Sequence, residues 1–400
     1  MTATKNPNVI LLALSQACFL ASSMTLVTFA GLAGKQLAAD PTYATVALSL
    51  AVMSTALSTA PMSMLMQRKS RRFGFRLGAI FGILGGLTAS LGLLFGNFWI
   101  LCGAAVLMGP FQASAQYYRF AAAESVPAVE APRAISFVLI GGLVAALFAP
   151  MITGWANLQF GPDSYMGAFL FISVVAALVL VPLSFLKPLD KPLTIEHEQQ
   201  AELPTRPLRA IIRTPRFLIA VLNASLGYAM MSFVMTATPL AVQACGFGSD
   251  ISSRVIQGHV IAMFLPSLFT GHLINRFGII PIMLTGHALF AAAFVTALSG
   301  IEVWQFSLAL IALGVGWNFC FVGGSTLLTQ VHADSEKGKV QGLNEFIVFG
   351  LSALASFAAG VILSRYGWAV VNQAAFVMLT VAAGATSLWG VLQLNRRAAS

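Results

Sequence analysis

Charge is scarce in this chain. Of its 400 residues 9% are charged, whereas 58% are hydrophobic. A water-soluble protein of this length needs a charged surface that such a sequence cannot supply. Cysteine occurs four times, at Cys18, Cys102, Cys245 and Cys320. That spacing suits neither a metal site nor a disulfide framework, so all four read as small apolar fillers. The five histidines lie far apart. No His-x-x-x-His and no Asp-rich pair occurs, which argues against a membrane-embedded enzyme. Gly-x-x-x-x-Gly-Lys-Ser/Thr is absent as well, which argues against a pump driven by bound ATP. The longest polar stretch runs to only about thirty residues, too short for the extended signalling segment of a non-transporting sensor. No enzyme activity, cofactor or metal is expected.

In place of these features stand a dozen long apolar stretches. A spanning helix needs about 20 mostly apolar residues to cross about 30 Å of hydrocarbon. The stretches lie at about 9–34, 43–66, 77–96, 99–123, 134–157, 164–186, 216–242, 252–274, 279–300, 304–331, 340–364 and 369–394. Each must be helical, because lipid offers no partner for a free backbone amide, and they are too long and uniform for barrel strands. The first is too long for a signal peptide, and only Lys5 precedes it. The expected fold is therefore an all-α, twelve-helix membrane protein.

The net charge of +9 invites a nucleic-acid reading, but its distribution opposes one. With the N-terminus in the cytoplasm, all of the 22 lysines and arginines except Lys35, Arg254 and Arg365 fall on the cytoplasmic side or its helix ends. That asymmetry sets both termini inside, in a multi-pass protein of the cytoplasmic (inner) membrane. The expected partners are the lipid bilayer, a small solute and protons, with no nucleic acid and a monomeric state.

The chain also repeats itself. Arg72-Phe73-Gly74 recurs as Arg276-Phe277-Gly278, Gly109 corresponds to Gly314, and Arg133 to Lys339. A near-constant offset of about 205 residues argues for a six-helix unit duplicated in parallel. The domains are then 1–186 and 216–400. Between them 187–215, rich in Pro, Glu, Lys and Arg, reads as a cytoplasmic linker with a short helix around Pro207–Arg213.

Gly271-x-x-x-Asn275-Arg276-Phe277-Gly278 between spans 8 and 9, its degraded copy at Gln67–Gly74, the basic central loop and the 6+6 repeat together resemble the major facilitator superfamily of secondary transporters. In the degraded copy Gln67 replaces the family's glycine and Arg71 its acid. The resemblance covers nearly the whole chain. It implies alternating access, with spans 1, 4, 7 and 10 lining a central cavity. Polar residues in those spans are then the substrate-binding candidates, since lipid-facing polar groups are costly. They are Gln16, Thr25 and Thr28; Gln112, Gln116, Tyr117 and Arg119; Asn223, Tyr228, Ser232 and Thr236; and Trp317, Asn318 and Phe321. The stripe Gln112, Gln116 and Arg119 shares one helix face. Trp317 and Phe321, one turn apart, suit stacking on a flat ligand. The competing reading makes these groups packing contacts between helices.

Arg119 is either an anion-binding residue or part of a cytoplasmic gate. The resemblance also implies a contact between the acid of the 2–3 loop and the cytoplasmic ends of spans 4 and 11. With Arg71 at the acid's place, the expectation becomes a charge-swapped latch in which Glu345 and Glu124 hold Arg71, Arg72 or Arg76. Asn275 and Arg276 are its counterparts in the second repeat. His259 and Glu345 are the proton-coupling candidates. The function expected is secondary transport of a small neutral or anionic polar solute, with a riboflavin-like vitamin compatible. A multidrug-type antiporter is the alternative, weakened by the lack of a membrane-embedded Asp in the first three spans.

Overall fold

The computed structural model describes residues 5–39, 43, 46–161, 164–188, 206–247 and 249–398. Most of the expected linker lies outside them, but its end forms a short helix, Leu208–Ile212. Helix starts are written in the sequence. Asn6 caps span 1, Pro7–Leu37, by accepting from the Asn8 amide, and Pro7 sits where its missing N–H costs nothing. Ser70 caps span 3, Arg71–Leu94. Asn97 caps span 4, and Thr214 with Pro215 opens span 7, Pro215–Ala244. At the start of span 10, Val303–Thr329, the Gln305 side-chain carbonyl accepts from the Glu302 amide at 2.8 Å.

Spans 2, 5, 6 and 9 are Val46–Arg68, Ala131–Leu158, Met166–Phe185 and Ile279–Leu298. The remaining spans depart from one continuous helix. Span 4 was expected unbroken over 99–123, yet it pauses at Gln116 and Tyr117 between Phe98–Ala115 and Tyr118–Glu124. Span 8 runs Ser249–Phe264, then a 3-10 turn Leu265–Leu268, then Thr270–Phe277, bent by 50°. Pro266 has no N–H to donate there. Spans 11 and 12 form one stretch, Lys337–Ala398, whose backbone leaves the helix at Gly367 with φ 82°. Only glycine adopts that conformation cheaply. With the bent pair counted as one span and the last stretch divided at Gly367, the described residues hold twelve spans, and the protein is a multi-pass α-helical membrane protein.

Two compact units emerge. The first holds residues up to Ala128, Phe137–Arg206 and Ala333–Phe346. The second holds Val129–Ser136, Pro207–His332 and residues from Ile347 onward. The start of span 11 thus belongs to the first unit and the start of span 5 to the second. In the first unit span 4 packs on spans 2 and 3, and span 6 on spans 1 and 3. In the second, span 10 packs on spans 7, 8 and 9.

The duplication is visible in matched contacts. A Cβ on Gly109 would meet Ser54 of span 2, and one on Gly314 would meet the backbone of His259 of span 8. The Ser54 hydroxyl donates to the Val106 carbonyl at 2.7 Å, and His259 Nδ1 lies 2.7 Å from the Leu310 carbonyl. Both pairs keep the offset of about 205 residues.

Candidate functional site

The first unit gathers charge at its basic end. Ser70 starts span 3 so that Arg71 leads its first turn, against the end of span 4. Arg71 grips Glu124 with two bonds, Nη2 to Oε1 at 2.5 Å and Nε to Oε2 at 3.2 Å. This forked arrangement is the strong, directional form of the pair. Arg71 Nη2 also donates to Gln341 Oε1 of span 11 at 2.5 Å, and Lys337 Nζ lies 3.4 Å from Glu124 Oε2. A charge-swapped cluster is thus present, with Glu124 as its acid. Glu345 was expected to hold a loop arginine; it meets Arg119 instead. Arg72 donates to the Ser184 carbonyl, and half-buried Arg76 lies outside the cluster. Sequence reading missed Gln341 and Lys337, because neither an amide nor a lysine at a helix start signals a partner in span 4.

A second clamp was also missed. Arg206 donates to the Glu336 carboxylate through its backbone N–H at 3.0 Å, Nε at 2.9 Å and Nη2 at 2.6 Å. Lys339 donates to the Arg206 carbonyl. The end of the linker is thereby tied to the start of span 11 within the first unit. Hydrogen bonding by Arg206 holds the Glu336 carboxyl down to about 2, against the opposing effect of burial. A carboxylate whose folded pKa is depressed contributes stability above its unfolded value, and that stability is lost as pH falls through the folded one. Glu336→Gln is therefore expected to lower thermal stability at pH 6–7, with the gap to the unmodified protein closing as pH falls from about 4.5 toward 2. A gap independent of pH would contradict the clamp.

Glycine placement at this end differs between the repeats. In the second unit a Cβ on Gly271 would lie 2.6 Å from Arg133 Cα and 2.6 Å from the Pro132 carbonyl. Asn275 Nδ2 donates to the Val129 carbonyl at 2.9 Å. Exposed Arg276 lies over the Phe277 ring at 5.2 Å. In the first unit Gln67 occupies the place of Gly271 and donates to the Ser335 carbonyl. The residue facing it is Gly338, where a Cβ would meet Gln67 Oε1 at 2.0 Å. By the repeat offset, Gly338 corresponds to Pro132. The glycine of this close approach has moved from the end of span 2 to the start of span 11. Gly271→Ala drives a Cβ into backbone and is expected to lower stability by about 1–3 kcal/mol. Gly338→Ala meets chiefly the flexible Gln67 amide, with Gln67 Cβ at 3.0 Å, so its cost should be smaller and should shrink further in the double variant with Gln67→Ala. Thermal melting of the four proteins checks this.

Deeper in the first unit, Arg119 Nη2 lies 2.6 Å from Glu345 Oε1, with side chains 3% and 0% exposed. Asn344 Nδ2 donates to the same oxygen at 2.6 Å. Glu345 Oε2 and Asn344 Oδ1 are buried without a partner. Arg119 also donates to the Gln116 carbonyl at 2.8 Å and lies 4.5 Å from the Phe120 ring. The Tyr117 hydroxyl donates to the Thr59 carbonyl at 2.7 Å, a packing contact with span 2. Gln16 and Gln112 are buried, Gln116 half-buried and Thr28 exposed. Thr25 meets Thr153 of span 5 at 2.9 Å. A cavity of about 850 Å³ among spans 1, 5 and 6 is walled by apolar side chains such as Phe148, Trp155 and Phe171, and none of these candidates lines it.

The second unit contributes an aromatic cluster. Trp317 and Phe321 stack with centroids 4.8 Å apart at 18°. Tyr228 lies edge-on to Trp317, Phe321 and Phe349 at 5.7, 5.6 and 5.4 Å, and Phe264 lies 5.8 Å from Trp317. Phe349 and Phe264 were not singled out in the sequence, where nothing separates them from other core phenylalanines.

Several other candidates are engaged in packing. Asn318 Nδ2 donates to the Met263 carbonyl and Ser267 Oγ, each at 2.7 Å, and its Oδ1 accepts from Thr270 at 2.7 Å. That set satisfies groups freed by the Pro266 bend. Asn223 donates to Thr386 at 2.9 Å, Ser232 meets Ser352 at 2.6 Å, and exposed Thr236 donates to Ser356 at 3.3 Å. The His259 contact with Leu310 assigns a proton to Nδ1, since a carbonyl can only accept. In the first repeat Ser54 makes the equivalent contact.

Against known proteins, the Major Facilitator Superfamily profile matches residues 12–264. The riboflavin transporter RfnT of Brucella anthropi is 38% identical over 375 residues, 94% of this chain and 93% of that protein. The uncharacterized MFS-type transporter YddS of Bacillus subtilis is 27% identical, over 80% of this chain and 75% of that one. Among solved structures, a bacterial homologue of the iron transporter ferroportin, in an outward-facing state, superposes with TM-score 0.73 at 15% identity, covering 96% of this chain and 99% of that one. The proton:xylose symporter XylE gives 0.74 at 13% identity, covering 94% of each. At such identities the structural likeness speaks to the fold alone. The profile spans more than half of the chain, and with the 38% relative it establishes that this protein belongs to the Major Facilitator Superfamily.

Proposed function

We propose that this protein is a secondary transporter of riboflavin or a close flavin relative, working by alternating access in the cytoplasmic (inner) membrane with both termini in the cytoplasm. The observation that carries this reading is the 38% identity to a riboflavin transporter across 94% of the chain. The stacked Trp317–Phe321 pair in span 10 supports it, since a flat heteroaromatic ring binds well between or against aromatic faces. The positive-inside distribution supports the orientation. Residues 1–186 and 216–400 act as the two rocking halves, joined by the linker at 187–215. The Arg71–Glu124–Gln341 cluster acts as the cytoplasmic latch, made when that side is closed and broken when it opens.

Transport is coupled to protons through Glu345. Its carboxylate sits at 0% exposure with Oε1 bound to Arg119 and Asn344 and Oε2 unpartnered. A proton on Oε2 turns the carboxylate of this ion pair into a neutral acid, which weakens its hold on Arg119 and lets protonation bias the pair between made and broken. His259 is less suited, because its Nδ1 is held in a contact that a serine makes in the first repeat.

Titration of the purified protein with riboflavin tests the substrate. The expected result is saturable quenching of flavin fluorescence, with a melting temperature that rises with ligand concentration. Absence of binding up to about 1 mM, where the standard binding energy is only about −4 kcal/mol, would remove riboflavin as the substrate. For the coupling, Glu345→Gln should retain flavin exchange but lose accumulation driven by a pH gradient.

A further inference from the structure

The indole N–H of Trp317 stands out in the second unit. Trp317 is 2% exposed, and its Nε1 has no hydrogen-bond partner. A buried N–H is nearly always paired, and leaving one unpaired is costly. Elsewhere in the same unit half-buried Trp368 follows the rule, donating its N–H to the Ala297 carbonyl at 3.1 Å. The next residue, Asn318, has both donors of its amide engaged. The neighbouring Asn318 amide and the Trp368 indole are thus both satisfied, whereas the Trp317 donor is not. The rings packed around the indole, from Phe264, Phe321 and Tyr228, offer mostly π-faces and C–H edges. The stack with Phe321 fixes the plane of the indole, in which its N–H must lie. Half-buried Tyr228 and Phe349 border the cluster, leaving ring surface that a ligand can cover.

We infer that Trp317 Nε1–H is a ligand donor, reserved for a carbonyl or ring nitrogen on the edge of a flat heteroaromatic solute that packs against the Tyr228–Trp317–Phe321–Phe349 cluster. This rests on the flavin reading above and deepens it. The site selects the acceptor-bearing ring, and the polyol tail adds nothing at this contact. An aromatic hydrocarbon of equal area stacks there but leaves the N–H unpaired, so the device discriminates by the price of an unmet donor.

The test is Trp317→Phe, with the replacement of Trp317 by benzothienylalanine as a shape-preserving second variant that lacks only the N–H. Riboflavin, and lumiflavin as the ring without the polyol, are titrated against each purified protein by fluorescence quenching. Melting without ligand is followed alongside. Both variants are expected to bind both flavins about tenfold more weakly, the scale of one net hydrogen bond. The ligand-free benzothienylalanine variant should melt no lower than the unmodified protein, because an orphan donor has been removed. A merely structural tryptophan would lower the melting temperature and leave affinity unchanged. Unchanged affinity of the benzothienylalanine variant for both flavins overturns the inference and leaves flavin transport standing. If the unmodified protein binds neither flavin, the flavin reading fails, and the inference falls with it.

Discussion

Replacing Arg119 with alanine is expected to abolish uptake and to destabilise the protein by about 3–5 kcal/mol, the usual consequence of stranding one member of a buried ion pair. Arg119 and Glu345 are 3% and 0% exposed and 2.6 Å apart. With the guanidinium gone, Asn344 alone still contacts Glu345 Oε1, and the charge has no counter-ion among the groups described there. The double variant Arg119→Ala/Glu345→Ala should regain most of the lost stability, because no charge is left stranded, while transport stays absent. Thermal melting combined with expression-matched flavin uptake checks both halves. Normal uptake by Arg119→Ala would remove this pair from the mechanism. A double variant no more stable than the single would show that the two residues are not coupled.

Reversing the charge at the basic end should produce the second large effect. Arg71→Glu places a carboxylate where two bonds now join Arg71 to Glu124, and it also removes the donor to Gln341. Hydrogen bonds to charged groups are worth about 1.5–3 kcal/mol each. Losing them, and adding repulsion, should shift the latch equilibrium by tenfold or more, with uptake falling accordingly. Arg71→Glu/Glu124→Arg restores a pair of opposite charges at the same positions. It should recover uptake to within about threefold, a rescue that a double-mutant cycle quantifies. Failure of the exchange to rescue, at equal expression, would mean that the cluster anchors the loop without acting as a latch.

The fold was largely legible in the sequence because lipid leaves little choice. Twelve runs of spanning length and an offset of about 205 residues between matched motifs point to helix number and repeat almost independently, and the one-sided cation distribution supports the orientation proposed above. Membership of a transporter superfamily, and hence the absence of enzymatic chemistry from the reading, followed from the same residues. The breaks were harder to foresee. Pro266 hinted at the bend in span 8, but nothing local marks the pause at Gln116–Tyr117.

Side-chain partners were legible only in part. The substitution of Arg71 for an acid required an opposite charge nearby, and Glu124 provides it. That Glu345 belongs to Arg119 could not be read, since the two are separated by more than half of the chain and pairing depends on tertiary placement. The polar residues of spans 7 and 10 carried an ambiguity that composition cannot resolve. Asn318 and Trp317 are adjacent and both buried; Asn318 holds a kinked neighbour, whereas Trp317 keeps an unpaired donor. Only the geometry separates the two.

Counterflow in proteoliposomes offers the sharpest test of alternating access by this chain. Purified protein is reconstituted, the vesicles are loaded with unlabelled riboflavin at high concentration, and a trace of labelled riboflavin is added outside. The label is expected to accumulate transiently above its external concentration and then decay, since a carrier whose site faces one side at a time exchanges faster than it empties. Label that never rises above that concentration, or that enters loaded and protein-free vesicles alike, would contradict flavin transport by this protein.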